Sequence, residues 1–167
     1  MKTIERTEYL NRIKNLKDTP DIKVITGIRR SGKSILMQEY IQYLKDNFND
    51  INVIFIDFMD LSFEHLKEYH ALHAYVEKRY VEGKSNYLFI DEVQMCPTFE
   101  LAVNSLYSKR KYDIYITGSN AFLLSADLAT LFTGRYIEIH VYPFSFKEYC
   151  NYYDNNHDIE KLFEDYT

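Results

Sequence analysis

The octapeptide Gly27-Ile28-Arg29-Arg30-Ser31-Gly32-Lys33-Ser34 restricts the fold of this chain more than any other stretch. It has the spacing Gly-x-x-x-x-Gly-Lys-Ser and separates an apolar, β-branched run, Ile22 to Thr26, from a helix-like run, Lys33 to Asn47. This order predicts a strand, a tight loop and a helix, with bare backbone amides cupping an anion. Gly27 lets the chain leave the strand with unusual dihedrals, and Gly32 lets backbone approach the phosphates. Lys33 would place its ammonium against the β and γ phosphates, and the Ser34 hydroxyl would ligate magnesium. The helix that follows adds unpaired N-terminal amides and the positive end of its dipole. The expected nucleotide-binding set is Gly27, Arg29, Arg30, Ser31, Gly32, Lys33, Ser34 and Ile35. Arg29 and Arg30 are unusual in the variable part of such a loop; touching phosphate, pairing with a nearby acid and facing a partner are all open to them.

With 167 residues, the chain has material for one well-buried core and too little for two ordinary domains. A 46% hydrophobic and 27% charged composition is globular, and a net charge of -5 argues against a chain whose main business is coating nucleic acid. The basic Lys109-Arg110-Lys111 reads more readily as a solvated helix end than as a contact surface. Cys96 and Cys150, the only cysteines, belong to no paired or metal-spaced motif, which suits a reducing compartment. Met1 to Pro20 is charged throughout and unlike a signal peptide, and no segment approaches membrane-spanning length. A cytoplasmic protein is expected.

Five runs read as strands: Ile22 to Thr26, Ile51 to Phe58, Tyr87 to Ile90, Tyr112 to Thr117 and Tyr136 to Tyr142. Helical patterns at Lys33 to Asn47, about Phe63 to Val81, and about Glu100 to Lys111 alternate with the first four, as in an α/β fold with a mostly parallel sheet. The apolar runs Tyr87 to Ile90 and Ile114 to Ile116 suit central strands. Tyr136, Glu138, His140 and Tyr142 alternate with Ile137, Ile139 and Val141, which suits an edge strand. Upstream, Tyr9, Leu10, Ile13 and Leu16 form a helical stripe within Glu5 to Lys17 that could pack over the sheet. Of five glycines, Gly83 is expected to end the long second helix, and the other four flank strands at the sheet's carboxyl edge or its rim.

Tyr87-Leu88-Phe89-Ile90-Asp91-Glu92 is an apolar strand closing in two acids. Beside a phosphate loop, the first acid holds magnesium and the second polarises the attacking water, so Asp91 is the expected magnesium partner and Glu92 the general base. Ser119 or Asn120, after the fourth strand, could orient that water or sense the γ phosphate; Gly-Ser-Asn is equally a plain turn or helix N-cap. Arg135 could stabilise charge on a neighbouring subunit's γ phosphate, or be a surface residue at a tight turn. Asp57 reads as a strand-end turn acid. His70 and His73 lack a third zinc ligand at sensible spacing, and tyrosines such as Tyr40 and Tyr75 suit core edges better than base stacking.

Taken in order, Gly-Ile-Arg-Arg-Ser-Gly-Lys-Ser, Phe-Ile-Asp-Glu-Val-Gln, Ile-Thr-Gly-Ser-Asn-Ala-Phe-Leu-Leu-Ser and Leu-Phe-Thr-Gly-Arg-Tyr-Ile-Glu-Ile-His-Val-Tyr-Pro-Phe-Ser-Phe-Lys-Glu-Tyr resemble a prokaryotic AAA-type ATPase family, the group usually paired with a C-terminal domain of unknown function. The resemblance spans about Ile22 to Tyr149. It implies a three-layer P-loop NTPase fold with sheet order 5-1-4-3-2, ATP and Mg2+ as cofactors, and catalytic roles for Lys33, Glu92, Asn120 and Arg135, the last acting in trans within a homo-oligomer. It further implies that this chain is an ATPase core (helix 5-17, core 21-143, start of a helical region 144-167) without its lid, so that DNA or a protein partner would be met through the C-terminal region. A phosphate-loop kinase would need a mobile basic lid and an acceptor pocket, neither evident here. A nucleotide-gated binding module with negligible turnover fits the same residues.

Overall fold

The computed structural model describes residues 6–119, 125–152 and 159–167. Helix α1 (Thr7–Asn15) precedes β1 (Ile22–Gly27), α2 (Lys33–Asn47) and β2 (Ile51–Asp57). After them come α3 (Tyr69–Arg79), β3 (Ser85–Asp91), α4 (Phe99–Ser108), β4 (Tyr112–Ser119), α5 (Ser125–Phe132), β5 (Tyr136–His140), α6 (Phe146–Tyr152) and α7 (Ile159–Tyr166). The five strands form one sheet in the order β2-β3-β4-β1-β5, which is 5-1-4-3-2 from the other edge. Every strand pairing is parallel.

Alternation along the central strands divides the apolar residues between two cores. Val24, Leu88, Ile90, Ile114 and Ile116 face α3, α4 and α5, whereas Ile25, Tyr87, Phe89, Tyr115 and Ile139 face α1 and α2. Each face therefore buries its own apolar layer, and the result is a three-layer α/β fold. β1 is buried along its whole length, and among the described residues β5 pairs with β1 alone, as an edge strand. In α1, Ile13 is fully buried, with Tyr9, Leu10 and Leu16 packed around the same cluster, so the helical stripe does cover the sheet.

The element ends differ from expectation for local reasons. The long helix of Phe63 to Val81 is two pieces: a 3-10 helix, Leu61–Leu66, and α3. The Glu68 carboxylate accepts from the His70 and Ala71 N–H groups, and this N-cap starts a new helix where a continuous one was expected. Gly83 accordingly sits beyond the end of α3, in the turn leading to β3, at φ 84°. α4 stops at Ser108, just before Arg110 takes a left-handed φ of 53°. β5 stops at His140, opposite Thr26, because β1 then turns into the loop. β3 and β4 run on to Asp91 and Ser119, and β2 ends at Asp57, one residue before Phe58.

At the amino end of the sheet, the Lys23 ammonium is wholly buried, 2.6 Å from Asp113 and 2.5 Å from the Thr19 carbonyl. Asp113 also accepts from the Tyr115 hydroxyl and the Asp18 N–H. Among the described residues, no helix is long and apolar enough to cross a membrane.

Candidate functional site

β1 delivers the chain to the phosphate-loop sequence at Gly27, and α2 begins at Lys33 with Gly32 as its left-handed N-cap at φ 92°. A Cβ on Gly27 would lie 2.4 Å from the Val141 carbonyl oxygen and 2.7 Å from Ser31 Oγ. The first glycine is thus demanded by close approach of the β5 exit as much as by dihedral freedom. Ile28, Arg29 and Arg30 lie exposed at the tip, and Arg30 takes φ 67°.

The buried Lys33 folds over the loop, its ammonium donating to the carbonyls of Gly27 at 3.0 Å and Ile28 at 2.8 Å. Burial lowers its pKa, and the nearby Glu92 and Asp91 carboxylates oppose that fall. Among the described residues, only Ser31 Oγ and Gln94 Oε1 are buried side-chain polar atoms without a hydrogen-bond partner. Ser31 belongs to the loop, and Gln94 lines the cavity beside it. Buried polar atoms are ordinarily paired, so an orphan in the loop and another lining the cavity beside it suit a polar ligand.

β4 lies between β1 and β3 and knits the acids to the loop. Asp91, at the end of β3, is buried and accepts from Thr117 Oγ1 of β4 at 2.5 Å. The same oxygen accepts the Glu92 N–H at 2.9 Å. Glu92 itself stands at φ 55°, in the left-handed region, and its carboxylate accepts from the Gln94 side-chain amide. Ser119 on β4 is in register with Gly27. One cavity, of about 550 Å³, is lined by Ile28, Arg29, Ser34, Glu92, Gln94 and Ser119 among others. A second, of about 280 Å³, is lined by Arg30, Gly32, Lys33, Ser34, Ile35, Glu92 and Phe144. Ser34 and Glu92 open onto both.

The other expected residues lie elsewhere or serve the fold. Arg135 precedes β5 at the sheet's amino end, its carbonyl accepting from the Ile22 N–H, at the pole away from the loop. It is exposed, with its guanidinium 5.7 Å from the Tyr107 ring centre. It cannot reach the Gly27–Ser34 loop of its own chain, and Gly134 beside it is likewise at the amino edge instead of the carboxyl one. Asn120 lies outside the described residues. Asp57 accepts from the Met59 N–H, as a turn acid does. His70 pairs with Glu68 and His73 with Ser105, and no group of three or more His, Cys, Asp and Glu placed to hold a metal occurs among the described residues. In the basic tripeptide, Lys109 pairs with Glu77 and Lys111 lies over the Tyr80 ring.

Two contributors escape sequence reasoning. Thr117 had a faint signal, a polar residue inside a buried strand. Arg6, whose guanidinium donates to the Ser31 carbonyl of the loop at 2.7 Å, had none, being one of several charges near the N-terminus.

The protein family described as AAA domain matches residues 19–150. An uncharacterized protein of Haemophilus influenzae is 38% identical over 168 residues, covering 98% of this chain and 42% of the relative. An uncharacterized protein of Methanocaldococcus jannaschii is 29% identical over 161 residues, covering 95% of this chain and 34% of the relative. The chain therefore spans less than half the length of these curated relatives. Among solved structures, AMPPCP-bound DnaA from Aquifex aeolicus superposes with a TM-score of 0.60 at 19% identity, covering 96% of this chain and 55% of that one. Saccharomyces cerevisiae Hsp104 in its casein complex gives 0.60 at 16% identity, covering 87% and 28%. At such identities these two likenesses bear on the fold alone.

Proposed function

This chain belongs to the AAA domain family, and from that premise we propose that it binds ATP with magnesium at the Gly27–Ser34 loop, hydrolyses it, and couples nucleotide state to a region C-terminal of the core. The observation that carries the reading is the Thr117 bridge, which ties Asp91 and the Glu92 backbone together beside a loop whose Ser31 hydroxyl is buried without a partner.

Each side chain then has a task. The loop amides and Lys33 take the phosphates, Lys33 exchanging the Gly27 and Ile28 carbonyls for phosphate oxygens. Ser34 and Asp91 would hold magnesium, which neutralises charge on the β and γ oxygens. Glu92 accepts a proton from water as that water attacks the γ phosphorus in line and the bond to the bridging oxygen breaks, leaving ADP and phosphate. Ser119 or Asn120 orients that water or senses the γ phosphate. Arg135, exposed at the far pole, acts on a neighbouring copy's site if the chain assembles into a homo-oligomer. A partner, DNA or protein, would be met through the C-terminal region, in keeping with relatives more than twice as long. Free Cys96 and Cys150 support a cytoplasmic setting.

The test is magnesium-dependent ATP binding by calorimetry, followed by phosphate release in the same samples. Lys33→Ala abolishes binding. Glu92→Gln retains binding and slows release roughly a hundredfold, about 3 kcal/mol of barrier. Unchanged release in Glu92→Gln would remove Glu92 as the base. A second reading, a nucleotide-gated binding module with negligible turnover, draws support from the Gln94 amide held against the Glu92 carboxylate. It predicts tight binding with little release in the parent chain.

A further inference from the structure

We propose that Arg6 is the positioning residue of the phosphate loop, clamping the Ser31–Gly32 peptide to the chain that leaves β5. The inference rests on the nucleotide-binding reading above. Arg6 is 5% exposed, and its guanidinium is shared among three separate segments. Nη1 donates to the Ser31 carbonyl at 2.7 Å, and Nη2 donates to the Tyr142 carbonyl at 2.7 Å. Nε and Nη2 fork onto the two Glu148 carboxylate oxygens of α6 at 2.9 and 3.3 Å. The rings of Tyr9 and Phe144 flank the guanidinium carbon, with centres 4.5 and 4.9 Å away. A buried, doubly flanked, bidentate arginine is rigid in a way that an exposed one is not.

The consequence for the loop follows from peptide geometry. A trans peptide is planar, with C=O and the next N–H on opposite edges. Anchoring the Ser31 carbonyl therefore sets the direction of the Gly32 N–H, one of the amides a phosphate cup needs. Within the loop the Ser31 N–H donates to the Ile28 carbonyl at 3.2 Å and Lys33 holds the Gly27 and Ile28 carbonyls, whereas the Arg6 bond ties the Ser31–Gly32 peptide to segments outside the loop. The clamp also reaches outward. The Phe144 ring lines the cavity with Lys33 and Ser34, and the Phe144 carbonyl accepts from the Tyr166 hydroxyl of α7 at 2.5 Å. The loop, the β5 exit and the α6–α7 pair are thereby joined at one side chain. Lysine cannot substitute, since a single ammonium does not present a planar fork to three acceptors.

The experiment compares the parent chain with Arg6→Lys, Arg6→Ala and Glu148→Gln by amide hydrogen exchange and by Mg-ATP calorimetry, at a temperature where circular dichroism shows each fully folded. The expected result is exchange at residues 28–34 faster by about tenfold in Arg6→Lys, from loss of bonds to a charged donor, with the Ser85–Asp91 strand unchanged. The Mg-ATP Kd rises at least about fivefold alongside it, by the same loss of preorganisation. Glu148→Gln, which keeps an acceptor, has a smaller effect of the same kind. Arg6→Lys retains the stem and charge and carries the test should Arg6→Ala not fold. A folded variant with unchanged loop exchange and Kd, or one loosened equally in β3, overturns the proposal. If the parent chain binds no Mg-ATP, the functional reading falls, and the exchange pattern alone decides the clamp: loosening confined to the loop upholds it, and none overturns it.

Discussion

Thr117→Val exchanges a hydroxyl for a methyl at a fully buried position where one oxygen serves both acids. That oxygen donates to Asp91 and accepts from the Glu92 N–H. A hydrogen bond to a charged group contributes about 1.5–3 kcal/mol and a neutral one about 0.5–1.5 kcal/mol. The added apolar group offsets about 0.8 kcal/mol, so the net loss of stability is expected near 2–3 kcal/mol. The effect on the site goes further. Glu92 stands at φ 55°, a conformation that costs a residue with a Cβ about 1–2 kcal/mol, and the Thr117 bond to its N–H acts with the Met95 N–H on its carbonyl to hold its backbone there. With the Thr117 bond gone and only the Met95 and Gln94 bonds left, Glu92 is expected to shift its carboxylate within the cavity it shares with Ser34. A misplacement costing about 2 kcal/mol of barrier slows turnover roughly thirtyfold. Urea unfolding with an unchanged m-value gives the first number, and phosphate release at saturating Mg-ATP, with the protein fully folded, gives the second. Thr117→Ser is the control: it loses a methyl group, about 1 kcal/mol, and keeps both bonds and the turnover. If Val turns over like the parent, or Ser fails as Val does, the bridge is not what places the acids.

Gly27→Ala drives a methyl to 2.4 Å from the Val141 carbonyl, whose own N–H is tied to the Thr26 carbonyl at 2.7 Å, so chemical denaturation should register a loss of about 3 kcal/mol, the upper end of overpacking costs. Gly134→Ala has open space around it and only its φ of 74° against it, so the same assay should show about 1 kcal/mol. Asp113→Ala leaves the Lys23 ammonium buried without its carboxylate and should cost about 3–5 kcal/mol in urea, whereas a loss below about 1 kcal/mol would mean that water reaches Lys23. Burial by itself would raise the Glu148 carboxyl, but the Arg6 bond and charge and the Ser145 N–H outweigh it and bring its pKa below the ordinary 4.5. Between those two values the unfolded chain binds the extra proton, so the clamp's stabilisation is complete above pH 4.5 and disappears as pH falls through the lowered value. Acid titration of stability should be flatter in Glu148→Gln, and an unchanged curve would deny Glu148 that part.

The local pieces were legible along the chain. Gly27 to Ser34 is a contiguous motif whose chemistry depends on spacing along the chain, and it stands where expected, between a strand and a helix. The apolar runs of the third and fourth strands announced burial on both faces, and the alternation at Tyr136 to Tyr142 announced an edge. The position of Asp91 and Glu92 was legible because a strand's last residues project from the sheet's carboxyl end whatever its neighbours are.

Which distant residues meet depends on how the strands and helices pack. Thr117 links the two acids because β4 is inserted between β3 and β1 in parallel register, and register is a property of paired strands. Arg135 fell at the pole away from the loop because β5 runs parallel to β1, which sends the residue before it to the amino end. Glu68 broke the expected long helix by capping a new one, a competition that periodicity does not express. Arg6 joins the loop to a carboxylate 142 positions later in the chain. A lone charge near a terminus is, on paper, like any other surface charge. Only the fold, by burying its guanidinium and surrounding it with Ser31, Tyr142 and Glu148, makes its hydrogen bonds obligatory.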